Sequence, residues 1–186
     1  TTISKSDDTN DVVVTIKAEN PLHYVSIKSS EEGNKNNDGA KGTDAIAIGP
    51  NASAAGASST AIGAGNAVKA GADNSNAIGT NNSVGENAVN ATAIGSENTV
   101  SNKASYASAV GYKNTATGVS SFAAGDQSEA SGVKSIATGY MSEASGASSL
   151  AMGDTAKATG ANSFAMGTQA RADGNQSLAL GYRSHS

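Results

Sequence analysis

The chain has 186 residues, with 22 Gly, two Pro, two Phe and neither Trp nor Cys. That composition is too poor in bulky side chains for an ordinary globular interior and too poor in proline for a collagen-like chain, so the glycines are read as turn residues. Twelve basic and 16 acidic residues leave a formal net charge of −4; they form no basic stripe, which argues against a nucleic-acid partner, and the lack of Cys excludes disulfides and thiolate metal sites.

In chain order, Thr1 to Asn10 carries no cationic and apolar leader, and no run of 18 apolar residues occurs, so the chain is expected to be a mature, soluble piece without membrane contact of its own. Val12-Val13-Val14-Thr15-Ile16 and His23-Tyr24-Val25-Ser26-Ile27 are β-branched or aromatic runs separated by Asn20-Pro21; both are predicted to be capping strands. Ser29 to Asp38 is polar throughout and reads as a solvated loop. Residues 1–40 are therefore expected to form a cap and 41–186 a repeat domain.

The repeat is a glycine preceded by alanine and one further residue. It runs Ala47-Ile48-Gly49, Ala61-Ile62-Gly63, Ala77-Ile78-Gly79, Ala93-Ile94-Gly95, Ala109-Val110-Gly111, Ala123-Ala124-Gly125, Ala137-Thr138-Gly139, Ala151-Met152-Gly153, Ala165-Met166-Gly167 and Ala179-Leu180-Gly181. Successive glycines stand 14, 16, 16 and 16 residues apart, then 14 apart five times. A short, near-constant period predicts a solenoid. A second glycine, seven residues ahead of the first at Gly42, Gly56, Gly118, Gly132, Gly146, Gly160 and Gly174, divides the coil into two short strands and two turns.

Strand side chains alternate between faces. In Ser149-Leu150-Ala151-Met152-Gly153 the two bulky residues share one side and alanine takes the other. The expected cross-section puts the bulky residues inside the coil, against the small alanines of the second strand, and leaves the first-strand alanine outside. Ala47, Ala61, Ala77, Ala93, Ala109, Ala123, Ala137, Ala151, Ala165 and Ala179 are then predicted to pack against sister chains near a symmetry axis. So thin an interior is not expected to offset the entropy of ordering a coil, and an obligate oligomer follows.

Thr60, Asn76, Thr92 and Ser108 replace an apolar residue where the 16-residue spacing occurs, read either as tolerated loop insertions or as a decorated contact surface. Stacking puts Glu129, Glu143, Lys157 and Arg171 in one outward column, solvated or a polar contact. Tyr112, Tyr140 and Tyr182 each follow a repeat glycine. They either cover the turn of the adjacent coil or anchor a partner; Tyr112 and Tyr140 are the candidate ligand contacts.

No catalytic, cofactor or metal site is predicted. His23 and His185 are isolated, Gly39-Ala40-Lys41 lacks the ending of a phosphate loop, and Asp126, Asp154 and Asp173 fall at different turn positions. Glu129, Lys157 and Arg171 interrupt any ice-binding array, and the period is too short for hexapeptide acyltransferase coils.

Ser-x-Ala-[Ile/Val/Met/Leu]-Gly at 14-residue spacing, interleaved with Ala-x-Ala-x-Gly, resembles the YadA-like heads of trimeric autotransporter adhesins from about Ala40 to Gly181. His23 to Ile27 followed by Asn36-Asn37-Asp38-Gly39-Ala40 resembles the start of such heads. The resemblance implies an all-β, left-handed parallel β-roll of about ten 14–16-residue coils in a side-by-side homotrimer. It also implies display on a Gram-negative cell surface, with an outer-membrane anchor supplied by a C-terminal region. Implied partners are collagen, fibronectin, laminin or receptors of the carcinoembryonic-antigen-related cell adhesion family, with autoaggregation in some members. The alternative is a structural spacer or autoaggregation module with the binding tip elsewhere. Neck, stalk and anchor are absent from this sequence, and Gly181-Tyr182-Arg183-Ser184-His185 reads as the opening of another turn, so the chain is expected to end within the head.

Overall fold

To reverse direction twice in 14 residues, a coil needs tight turns whose residues accept the left-handed backbone region. A computed structural model describes residues 2–5, 12–15, 33, 34, 36 and 38–186 of the chain. Two residues after the repeat glycine, one residue per coil takes positive φ, including Asn81 (54°), Lys113 (52°), Gln127 (57°) and Arg183 (54°). The repeat glycine is needed for two reasons. At Gly153 φ is 134°, and a Cβ there would lie 2.7 Å from the Gly167 carbonyl oxygen of the next coil, so both backbone strain and a clash exclude a side chain.

Among the described residues the regular structure is all strand. β1 (Thr2–Lys5) and β2 (Val12–Thr15) form an antiparallel pair. The predicted strand at Val12 is thus present, β1 was not anticipated, and His23 to Ile27 lies outside the described residues. From residue 46 the chain builds two parallel sheets. One has ten strands, from Ile46–Ile48 to Leu178–Leu180, and the other nine short strands, from Ser53–Ala54 to Arg171–Ala172. Each coil contributes one strand to each sheet. Equivalent residues pair in register, Ala109 with Ala123 and Ala137 with Ala151, giving the expected β-solenoid of about ten turns. Stacking begins before the first repeat glycine: Asn34 Nδ2 donates to the Ala47 and Gly49 carbonyls at 3.2 Å, and Asn34 Oδ1 accepts from the Gly39 amide at 2.8 Å.

The alternation holds, but its phase is the reverse of the expectation. Ala61, Ala77, Ala93, Ala109, Ala123, Ala137, Ala151 and Ala165 are wholly buried inside their own coil, Ala179 is 2% exposed, and Ala47 is half-buried against the same interior. They face the buried Ala130, Ala144, Ala158 and Ala172 of the short strands, so the nine buried alanines are turned into their own coil and not toward a sister chain. The bulky residues point outward. Apolar sheets normally pack about 10 Å apart, and in the 14-residue coils the short turns hold the two sheets too close for anything larger than a methyl or hydroxymethyl group between them. Serine occupies the buried position two residues before each alanine in most coils; nothing in the structure explains serine over alanine at Ser121, Ser135, Ser149 and Ser163, whose hydroxyls have no hydrogen-bond partner.

The 16-residue coils are wider rather than merely looped. Their two additional residues make an extra corner, with Gly71, Asn87 and Lys103 at positive φ (71°, 57° and 62°) and Ala72, Ala88 and Ala104 buried beneath it. In the enlarged space Val68, Val84 and Val100 are at most 1% exposed where narrow coils have alanine. A ladder of buried asparagines, Asn66, Asn82, Asn98 and Asn114, lines the opposite corner. Asn98 Nδ2 shares its two hydrogens among Asn82 Oδ1 (3.0 Å), Ile94 O (2.9 Å) and Gly111 O (2.7 Å), and its Oδ1 accepts from Asn114 N and Nδ2, both at 3.0 Å. Ser128 and Ser142 continue the column, with Ser142 Oγ donating to Ser128 Oγ at 2.9 Å, and the buried Ala156 and Ala170 follow.

Candidate functional site

A solenoid offers faces rather than a cleft, and each face is set by one register position repeated coil after coil. On the ten-stranded sheet the outward positions are three residues and one residue ahead of the repeat glycine. The first column reads Ile46, Thr60, Asn76, Thr92, Ser108, Phe122, Ile136, Leu150, Phe164 and Leu178. The second reads Ile48, Ile62, Ile78, Ile94, Val110, Ala124, Thr138, Met152, Met166 and Leu180. Bulky apolar side chains stand open in this single chain: Phe122 and Met166 are 37% exposed, Phe164 42% and Leu180 58%. About 4.8 Å separates successive levels, so the band is roughly 48 Å long and about 7 Å between columns. Its apolar side chains, interrupted in the first column by Thr60, Asn76, Thr92 and Ser108, mark an association face.

The short-strand sheet turns a polar face outward. Glu129, Glu143, Lys157 and Arg171 stack in register as expected, and Lys157 Nζ pairs with Glu143 Oε2 at 2.7 Å. Arg171 pairs instead with Asp173, two residues along its own strand. Thr159 Oγ1 donates to the same carboxylate at 2.8 Å, and His185 Nε2 lies 3.1 Å from it. Hydrogen bonds from Arg171 first and Thr159 second pull the Asp173 pKa down to about 2. Over the wide coils this face carries hydroxyl and amide groups instead, and a shallow open depression of about 380 Å³ lies among Lys69, Ser83, Gly85, Thr99, Ser101 and Asn102.

The turn edge beside the second apolar column carries the tyrosines. Tyr112 and Tyr140 end their strands on neighbouring levels either side of Asp126 and are 39% and 46% exposed. The Lys113 ammonium sits 4.9 Å from the centroid of the Tyr112 ring and 3.6 Å from Glu97 Oε2 on the preceding coil; Arg183 covers Tyr182 at the same 4.9 Å. Tyr112 and Tyr140 are thus placed on one edge, with part of each ring open. Among the described residues no group of three or more His, Cys, Asp or Glu is arranged to hold a metal ion, and no helix is long and apolar enough to cross a membrane.

The outward apolar columns and the asparagine ladder both escaped the sequence reading. The ladder was readable as an Asn three residues after each of Gly63, Gly79, Gly95 and Gly111. The columns are legible as apolar in the sequence, but period-two alternation alone does not say which side of the strand faces inward.

Comparison with curated proteins finds none that matches the chain. The family model of the YadA head domain repeat (two copies) matches residues 40–66, 103–128, 116–142, 130–156, 144–170 and 158–184. These matches cover more than half of the chain, and the internal stretch they leave out, residues 67–102, contains the extra corners of the first two wide coils, at Gly71 and Asn87. With the same coil, the same repeat glycine and the same stacking throughout, the chain belongs to the YadA head-repeat family, the heads of trimeric autotransporter adhesins.

Proposed function

We propose that this chain is the adhesive head of a trimeric autotransporter, attaching a bacterium to host receptors or extracellular matrix through three copies of one rigid wall. Heads of this family are adhesins rather than enzymes; they form homotrimers, bind host ligands and are displayed at the surface of outer-membrane-anchored proteins. The observation that carries the reading is the apolar band. An interior of alanine, serine and asparagine with three valines is too thin to hold a lone chain well, and most of the bulk that would ordinarily fill a core stands on the outside, where sister chains bury it.

Burying the ten-stranded face leaves the short-strand sheet and the turn edges outward, so ligand contact falls on polar columns and on Tyr112 and Tyr140. No deep recess is needed, because three weak contacts held on one rod gain through effective concentration. Collagen, fibronectin, laminin and receptors of the carcinoembryonic-antigen-related family are the ligands to test, with the purified trimer as the analyte in a surface-binding assay. Binding that falls at least about tenfold in Tyr112→Ala or Tyr140→Ala, with trimer mass unchanged, places the contact on that edge. Silence against every matrix protein and receptor, with self-association retained, assigns the chain to the spacer or autoaggregation role.

A further inference from the structure

Interior volume and outward apolarity vary in opposite directions along the roll. Where Val68, Val84 and Val100 and the asparagine ladder fill the wide coils, the flanking strands carry Thr60, Asn76, Thr92 and Ser108 in the first outward column, all partly exposed. Where the interior shrinks to Ala116, Ala130, Ala144, Ala158 and Ala172, the same column becomes Phe122, Ile136, Leu150, Phe164 and Leu178. The second column stays bulky through most of its length. Closing a sister chain over four polar levels would desolvate an amide and three hydroxyls against apolar side chains with no partner supplied, whereas closing it over the phenylalanine and leucine levels removes only apolar surface from water.

We infer that sister chains of this protein grip one another unevenly. Both columns meet over the narrow coils from Phe122 to Leu180. Only the second column, Ile62, Ile78, Ile94 and Val110, meets over the wide coils, whose first column stays in water as a cleft between protomers. The wide coils hold themselves through their own valines and asparagines, and the narrow coils depend on the neighbouring chain. The inference rests on the trimeric reading above and adds to it where the contact is strong and which coils depend on it.

Single substitutions in the full chain test this, read by native mass spectrometry and by amide hydrogen exchange. Thr92→Asp and Ser108→Asp are expected to keep the wild-type assembly at three times 18.1 kDa. Phe164→Asp and Ile136→Asp, at the same register position, are expected to break it, as is Ile94→Asp in the second column. In Phe164→Asp the amides of the strands at 76–80 and 92–96 should keep their protection, while those at 150–152 and 164–166 exchange at least about tenfold faster. Dissociation by Thr92→Asp and Ser108→Asp to the same degree as by Phe164→Asp overturns the uneven grip, as does uniform loss of protection along the roll in Phe164→Asp. A wild-type chain that is monomeric at all concentrations overturns the trimer itself, a result distinct from either of these.

Discussion

Asn98 carries hydrogen bonds where a larger interior would carry apolar bulk. Its carboxamide links three coils through five contacts of 2.7 to 3.0 Å, and replacing it by alanine leaves several buried partners unpaired. Each such group costs about 1–3 kcal/mol, so Asn98→Ala should lose at least about 3 kcal/mol in thermal unfolding at fixed chain concentration. Ser142→Ala removes the donor of a single hydroxyl contact and should cost about 1 kcal/mol. Equal losses in the two variants would deny the ladder its special weight. Asp173 gives a pH signature at the end of the roll. Its pKa is depressed, so the stabilisation from Arg171 and Thr159 is in full force above the ordinary carboxylate value near 4 and disappears as pH falls toward about 2. Carboxyl NMR titration should find its midpoint near 2, and Arg171→Gln should move it upward.

At the scale of the element, side-chain size follows coil length. Val84→Ala opens a void in a wide coil and should cost about 1.5–3 kcal/mol. The converse change, Ala130→Val, forces two methyl groups into a narrow coil and should cost about 1–3 kcal/mol by overpacking. If Ala130→Val were as stable as wild type, the narrow interior would be looser than the burial of Ala123, Ala130 and Ala137 indicates. The repeat strands and their order were legible because period-two alternation and the glycine spacing are local properties. Which face of Ser149 to Gly153 points inward was not, since Leu-Ala-Met reads identically from either side of a strand. The distance between the two sheets settles it, and that distance comes from how tightly the turns at Gly146 and Gly153 close.

For the whole molecule, the repeat makes the roll modular in units of a complete coil and of no other length. Deleting residues 154–167 removes one full narrow coil, restores every in-register pairing, and should yield a folded trimer about 4.8 Å shorter by small-angle scattering. Deleting only 161–167 brings the chain out half a coil early, stacks the long strand of one level over the short strand of the next, and should abolish the sharp melting transition. Applied to each coil in turn, the full-length deletion also separates the two functional readings. An adhesive wall loses its ligand when one particular coil goes, and a spacer keeps its partner whichever coil is removed.

The number of coils, the two strands in each, the turn glycines and the family were all present in the order of residues, because each follows from spacing along the chain. The stack of Glu129, Glu143, Lys157 and Arg171 was legible for the same reason: a fixed period becomes a straight column once strands pair in register. The inside and outside of each strand, the enlarged interior around Val84 and the bonding of Asn98 across three levels were decided only by the closed coil. They depend on the gap between two sheets that the sequence lists as separate segments, and that gap is set by turn geometry and filled by whichever side chains it admits.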